Sequence, residues 1–305
     1  MKAVCLGAHV LDVLARPVTE IPEGQGGALV EQIRMAPAGS AGGTAVVLAK
    51  LGASVLSAGA IGNDPLGDSL VTLLEANGVD ASGLVRKADV QTSASVLPIR
   101  PNGDRPALHV IGANGSLAED DVPWEAIASA THVHVGAPEI AGPELCATVL
   151  ERARGAGAVT SADMLAPGEP GIREWVAPVL GHVDHLLINE EQAGGLVEES
   201  DVEAACAKLR EHGPRVVAAT LGAEGAIVVS EDGAERVRAY EVEVVDTSGC
   251  GDAFSAGYLR ALAEGRPLAE AASLGCAAAT FVAGGLGSDA GEFDLAAAER
   301  LAFGG

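Results

Sequence analysis

Aromatic side chains are scarce: Phe, Trp and Tyr make up 3% of a 305-residue chain whose hydrophobic share is 48%. The core must therefore be built from Ala, Val and Leu, and there is little aromatic surface on which bases could stack. Cationic residues are also few. Lys plus Arg number 19 against 42 Asp plus Glu, a formal charge of −23. That balance argues against polyanionic partners, so neither nucleic acid nor an anionic membrane surface is expected. It leaves room for a small phosphorylated ligand, which responds to local donors. The sequence contains no G-x-x-x-x-G-K-[ST] loop and no G-x-G-x-x-G, so neither a P-loop nor the usual dinucleotide fingerprint is present. Five cysteines (Cys5, Cys146, Cys206, Cys250, Cys276) form no C-x-x-C pair. An odd, scattered set fits a reducing cytoplasm better than a disulfide framework. Long apolar runs are missing as well. Asp12 and Arg16 interrupt the N-terminal run before a signal-like core is complete. The uncharged stretch 271–288 is mostly Ala, Gly and Ser. It predicts a buried helix and a Gly-rich loop rather than a membrane span.

What is present is alternation. Short apolar runs predict strands at 3–6, 54–60, 132–135, 158–161, 185–188, 216–220 and 225–229. Between and after them, helical patterns lie at 44–51, 67–77, 143–153, 202–211, 252–263 and 268–282. This order predicts an α/β fold: a doubly wound, mostly parallel sheet with helices on both faces. Ligands in such sheets sit beyond the carboxyl ends of the strands. Segments 30–35, 92–98 and 107–111 read as strands without partner helices, with a turn at Pro101-Asn102-Gly103-Asp104. They predict a small β-sheet lid, formed by about 13–38 and 89–113, on a single domain spanning 1–305.

The most chemically informative stretch is Asp246-Thr247-Ser248-Gly249-Cys250-Gly251-Asp252-Ala253-Phe254. A strand over 241–245, with Val242 and Val244 alternating, is expected to run into two glycines and then a helix of small residues. Glycines allow a sharp turn that bares backbone N–H groups. A helix start with unpaired N–H groups and a positive dipole end binds anions such as phosphate. An acid at the same place would repel that phosphate, unless Asp252 takes a proton from an attacking hydroxyl. Anion hole plus adjacent carboxylate reads as phosphoryl transfer to an alcohol. Read locally, the same residues also suit an ordinary Gly-rich turn with an acidic first helical turn.

A second constellation is Ala38-Gly39-Ser40-Ala41-Gly42-Gly43-Thr44-Ala45, followed by Leu51-Gly52-Ala53 and Gly62-Asn63-Asp64-Pro65-Leu66-Gly67. Its glycines would let backbone approach a small polyol, or would simply allow close helix–sheet packing. Asp12, after the first strand, offers a carboxylate to adjacent hydroxyls. His132 and His134 share a strand face, but no third ligand is spaced to complete a zinc site. They read as core or strand-end histidines.

Together these motifs resemble the ribokinase-like (PfkB) carbohydrate kinases. Asp246–Asp252 is similar to the family's C-terminal D-T-x-G-A-G-D signature, with Cys250 for alanine. Gly39 to Gly67 is similar to its N-terminal signature, with Gly43 where asparagine is usual. The resemblance implies an ATP-dependent phosphotransferase with Mg2+. Asp252 would be its base, and Gly249, Cys250 and Gly251 its anion hole. Asp12, Gly39, Gly42, Gly43 and Asn114 would lie on the substrate. Asn189, Thr220, Gly222, Gly225, Gly251 and Cys276 would lie on the nucleotide. Main-chain groups near Asp246, Ser248, Val282, Gly285 and Gly287 would hold K+ in members that bind a monovalent cation. The family's N-x-x-E reads here Asn189-Glu190-Glu191-Gln192, without the fourth-position acid. Val10, Gly43 and Gly136 replace groups that would hold ribose, and Leu165 and Pro167 depart from D-x-N-x-R after Asp163. The expected acceptor is thus a sugar or sugar-like molecule other than ribose. A nucleoside kinase and a catalytically impaired ligand-binding relative are the alternatives. Pairing of lids implies a homodimer.

Overall fold

The structure, a computed structural model, describes residues 1–304. The chain opens with β1 (Lys2–Gly7), β2 (Val10–Arg16), β3 (Gln32–Ala38), α1 (Ser40–Lys50), β4 (Ser54–Gly62), α2 (Pro65–Ala76) and β5 (Asp80–Lys87). It continues through β6 (Ala94–Pro98), β7 (Leu108–Val110), α3 (Trp124–Ser129), β8 (His132–Gly136), α4 (Pro138–Ala141), α5 (Pro143–Gly155) and β9 (Val159–Asp163). Then come α6 (Pro170–Leu180), β10 (His185–Asn189), α7 (Glu190–Val197), α8 (Val202–Arg210), β11 (Val216–Thr220), β12 (Ala226–Ser230) and β13 (Gly233–Val237). The last elements are α9 (Cys250–Leu262), α10 (Leu268–Ala283) and α11 (Leu295–Phe303).

Nine strands form one sheet in the order β13-β12-β11-β10-β9-β8-β1-β4-β5. All neighbours are parallel except β11/β12 and β12/β13. Chain order runs outward from β1 in one direction through β4 and β5, and from β8 in the other through β11. The winding therefore reverses between β1 and β8, where a crevice opens at the strand ends. Two buried clusters fill the two faces. One gathers residues of α1, α2, α9 and α10, with Phe254 and Tyr258 among its largest side chains. The other gathers α5, α6, α7 and α8 around Val133, Val135 and Leu186. Both are rich in Ala, Val and Leu, as the shortage of aromatics requires. Helix α10 is lined with small buried residues, Ala, Gly and Cys, and among the described residues no helix is long and apolar enough to cross a membrane.

The second sheet is β3-β2-β6-β7. Its inner side is held by Leu14, Ala36, Leu97, Ile99 and Leu286. Its outer side exposes Ile33, Met35, Val96 and Leu108.

One expectation is overturned: residues 241–245 form no strand. β13 ends at Val237, and the chain then leaves the sheet. The alternation of Val242 and Val244 reflects two half-exposed valines on a cavity wall, not a pleat.

Candidate active site

The C-terminal motif folds as the sequence suggests, with one shift in the donors. Gly249 sits at φ 76° and caps α9, which starts at Cys250. A side chain there would be strained in that conformation, and its Cβ would fall 2.6 Å from the Ser288 Cα. Asp246 is fully buried. Its Oδ1 accepts from the Ser248 N–H at 2.9 Å and the Ser248 hydroxyl at 2.7 Å. Its Oδ2 accepts from the Gly287 N–H at 2.9 Å. The acid of the motif thus fastens the turn to the 284–291 loop. The Cys250 N–H donates to the Thr247 carbonyl at 3.3 Å, so it is engaged. Gly251 and Asp252 stand in the first turn of α9, where backbone N–H groups have no intrahelical partner, and nothing lies within 4 Å of where a Gly251 Cβ would be.

Asp252 meets α1. A Cβ on Gly43 would lie 2.8 Å from the Asp252 Cγ and closer still to its Oδ2. The absence of a side chain at position 43 is what makes room for the carboxylate. Gly42 instead faces the ring of His9: a Cβ there would lie 3.3 Å from its Cδ2. Asn114 is buried behind the site. It accepts from the His9 N–H at 3.0 Å and donates to the His9 carbonyl at 3.1 Å. Both residues shape the β1–β2 turn, and neither lines the cavity.

That cavity, about 290 Å³, is walled by Asp12, Gly39, Arg105, Asp163, Asn189, Gln192, Gly249, Gly251 and Asp252, among others. Asp163, Asn189 and Thr220 reach it from the carboxyl ends of β9, β10 and β11. Burial pushes the Asp12 carboxyl up to about 6, against the opposing pull of Ser95 and Arg105. Burial, and then the charge of Asp163, hold the Asp252 carboxyl well above the usual carboxylate range. A carboxylate with a raised pKa is a stronger base, as proton abstraction from an alcohol requires. His134, the second of the two strand histidines, backs Asp163: its Nε2 is 3.4 Å from the Asp163 Oδ2. His132 contacts Thr131 instead, and burial lowers its pKa to about 4. The two histidines therefore serve different neighbours.

Gln192 accounts for the missing acid of the Asn189–Gln192 motif. Its Nε2 donates to the Met164 and Ala166 carbonyls, both at 2.9 Å, while its Oε1 accepts from the Asn189 N–H. A glutamate could not make the first two bonds. Glu139 grips the same loop by accepting from the Leu165 and Ala166 N–H groups, each at 2.7 Å. Glu190 and Glu191 lie exposed on the first turn of α7.

A second, more apolar cavity of about 750 Å³ adjoins the first. Its wall includes Thr220, Gly222, Gly225, Cys276, Val242 and Val244. Thr220, Thr247, Gly251 and Phe254 line both cavities. Tyr240 also belongs to this wall; no motif marked it, nor Arg105. Of the residues assigned to a monovalent cation, Val282 is buried at the end of α10 and its carbonyl accepts from the Gly285 N–H. The Gly287 carbonyl accepts from the Ala290 N–H.

The comparisons agree with this geometry. Residues 1–292 match the pfkB family carbohydrate kinase pattern. The chain is 30% identical over 261 residues to an ATP-dependent ribose-1-phosphate kinase of Halopiger xanaduensis, covering 85% of this chain and 84% of that one. It is 29% identical over 266 residues to a nucleoside kinase of Methanothermobacter thermautotrophicus, covering 86% and 83%. The ribokinase of Arabidopsis thaliana complexed with ribose and ATP shares the fold with a TM-score of 0.85 at 22% identity, covering 99% and 98%. With two cavities joined at a Gly-rich helix start, and a family match running through both, the chain belongs to the pfkB family of carbohydrate kinases, phosphotransferases that act on a hydroxyl acceptor.

Proposed function

We propose that this sugar or nucleoside kinase uses Asp252 as its general base and that its acceptor is a small sugar-like molecule held in the 290 Å³ cavity. The observation that carries this reading is the place of Asp252: a half-buried carboxylate on the first turn of α9, lining the acidic cavity where it meets the apolar one. The apolar cavity takes the nucleotide, with Cys276 and Tyr240 toward the base and Gly222 and Gly225 near the ribose and phosphates. Asp12 and Asp163 accept hydrogen bonds from acceptor hydroxyls. Asp252 takes the proton of the attacking hydroxyl as its oxygen bonds to the γ-phosphorus and the bond to the β-phosphate oxygen breaks. The Gly251 and Asp252 N–H groups, with Gly249 shaping the turn, receive the charge on the transferred group. They replace the Gly249-Cys250-Gly251 trio as the working donors, because the Cys250 N–H is engaged.

Kinases of this family use ATP with Mg2+. No group of three or more candidate ligands is assembled among the described residues. That fits Mg2+, which is usually held by substrate phosphates and waters with one or two carboxylates. Glu190 and Glu191 stand exposed on the first turn of α7, outside both cavity walls, and read better as an ordinary acidic helix start than as partners of those waters. The ion would neutralise phosphate charge as it moves from ATP to product. A monovalent cation, if held, belongs at the Asp246–Ser248 turn and the 282–287 segment, whose carbonyls each keep a second lone pair.

Acceptor-dependent ADP release across a panel of sugars and nucleosides tests the reading. Asp252→Asn should lower kcat by about 10²–10⁴-fold while leaving nucleotide binding intact or improved, since a negative charge beside the phosphate is removed. Near-normal kcat in that variant would reject Asp252 as the base. A nucleoside acceptor is favoured by the nucleoside kinase relative. The shortage of aromatic rings in the acceptor cavity, where Phe254 is the sole one in the described wall, opposes it.

A further inference from the structure

The lid turn carries a cation that the chemistry above does not use. Arg105 lies between β6 and β7 and forms part of the acceptor cavity wall with Asp12, Asp163 and Asp252. It is the one cationic side chain in the described wall. Its charge is felt by Asp12, Cys250 and Asp252, in each case favouring the negative form. Yet among the described residues it makes no ion pair and no side-chain hydrogen bond. Other arginines are committed. Arg100, in the same turn, donates to the Val18 and Thr19 carbonyls. Arg34 pairs with Asp289, and Arg154 with Asp184. Arg105 therefore offers a planar set of five N–H donors to the cavity.

A neutral polyol needs acceptors for its hydroxyls, and Asp12 and Asp163 already provide them. A guanidinium is matched to a carboxylate or phosphate, which it can bind through two parallel bonds. The transferred phosphate is not the natural partner. It enters from the nucleotide cavity, whose wall lacks Arg105, and it is met by the Gly251 and Asp252 N–H groups. Arg105 stands at the lid side of the cavity, with Asp12 of β2. In a chain of charge −23, whose cavity already holds three carboxylates, an anionic acceptor would be repelled without such a partner. We propose that Arg105 binds a phosphate or carboxylate group on the phosphoryl acceptor, so that the acceptor is an anionic sugar derivative rather than a neutral sugar or nucleoside. This rests on the kinase reading, and it names the acceptor class for the same site.

The test uses matched probes with ATP and Mg2+: ribose, ribose 1-phosphate, ribose 5-phosphate and ribonate, and fructose, fructose 6-phosphate and gluconate, with adenosine as the nucleoside. The best anionic acceptor should exceed its neutral parent in kcat/KM by at least about tenfold, and the phosphate and carboxylate arms identify the anion. Arg105→Ala should lower kcat/KM for that acceptor by about 10- to 100-fold, chiefly through KM. The loss for that acceptor should exceed the loss for its neutral parent by at least about tenfold, the KM for ATP should stay within about twofold, and Arg105→Lys should restore part of the loss. A neutral sugar or nucleoside as best acceptor, indifferent to Arg105→Ala, overturns the inference and leaves the kinase reading standing. So does a rise in the KM for ATP that is the same for every acceptor. If no probe is turned over, thermal stabilisation with an unreactive ATP analogue decides. Stabilisation by an anionic probe that is lost in Arg105→Ala supports the inference, and its absence overturns it.

Discussion

Gly43→Ala is a single methyl group aimed at Asp252, the carboxylate proposed as the base. The added Cβ would stand 2.8 Å from the Asp252 Cγ, whereas carbon atoms in contact are about 3.5–4.0 Å apart. The carboxylate must therefore withdraw by about 1 Å. The carboxylate can turn into the adjoining acceptor cavity, but the Asp252 Cβ, 2.9 Å from the new methyl, moves only with α9, so the two helices must also part slightly. The helix loses nothing: Ala is preferred to Gly in a helix interior by about 1 kcal/mol. The variant should fold, with an apparent melting temperature within about 3 °C of the parent. Its chemistry should suffer, since displacing a reacting group by about 1 Å costs on the order of 10²-fold. Steady-state ADP release should show kcat reduced by about that factor, while nucleotide affinity, measured by calorimetry, stays within about twofold because the apolar cavity does not touch Gly43. A Gly43→Ala enzyme with kcat within about threefold of the parent would refute the argument. It would mean that the proton acceptor is not the carboxylate packed against α1.

Asp12→Asn tests the electrostatics of the cavity through stability. The folded carboxyl titrates near 6 against an ordinary 3.8, so Asp12 supports folding below about pH 4 and loses that contribution as pH rises through 6. The asparagine variant, uncharged throughout, should gain up to about 3 kcal/mol over the parent above pH 6 in the absence of substrate, and lose kcat/KM. Identical melting curves from pH 5 to 8 would reject this. Activity should require Mg2+, and equal rates in sodium, potassium and choline buffers would dismiss the monovalent site while sparing the kinase assignment. The outer face of the lid sheet exposes Ile33, Met35, Val96 and Leu108, which favours pairing of two lids. Light scattering at low micromolar concentration should report about twice the 30.4 kDa chain mass, and a clean value at the chain mass would reject the dimer.

Much of the α/β alternation was legible in the sequence because buried parallel strands are continuous apolar runs, and those of β1, β4, β8, β10 and β11 stand out as such. The small sheet was legible in part. β3, β6 and β7 were anticipated near their true positions, but β2 was not, since its partly exposed residues break the run. The peripheral strands β5 and β13 were missed for the same reason: charged and exposed side chains alternate in them without a clear period. The motif at Asp246–Asp252 declared its helix and its acid. It did not declare that the Cys250 amide is engaged, a detail of turn geometry set by one carbonyl of Thr247. Arg105 and Tyr240 left no local signal, because their role depends on which distant loop each happens to face.

The loop that follows α10 holds a last consequence. Its carbonyls are gripped by cations from two other elements: Lys50, at the end of α1, donates to Asp289, Ala290 and Gly291 at 2.6, 3.2 and 2.7 Å, and Arg34, on lid strand β3, reaches the Leu286 carbonyl and the Asp289 carboxylate. The same loop presses Ser288 against Gly249 and lends its Gly287 amide to Asp246. It works as a keystone. A lid strand that lifts must either release Arg34 or drag the stone, and dragging it tilts the Asp246–Gly249 turn. Opening of the small sheet is thereby geared to loosening of the turn that starts α9. In hydrogen exchange the amides of 286–289 and of β3 should then open together, in one step rather than two.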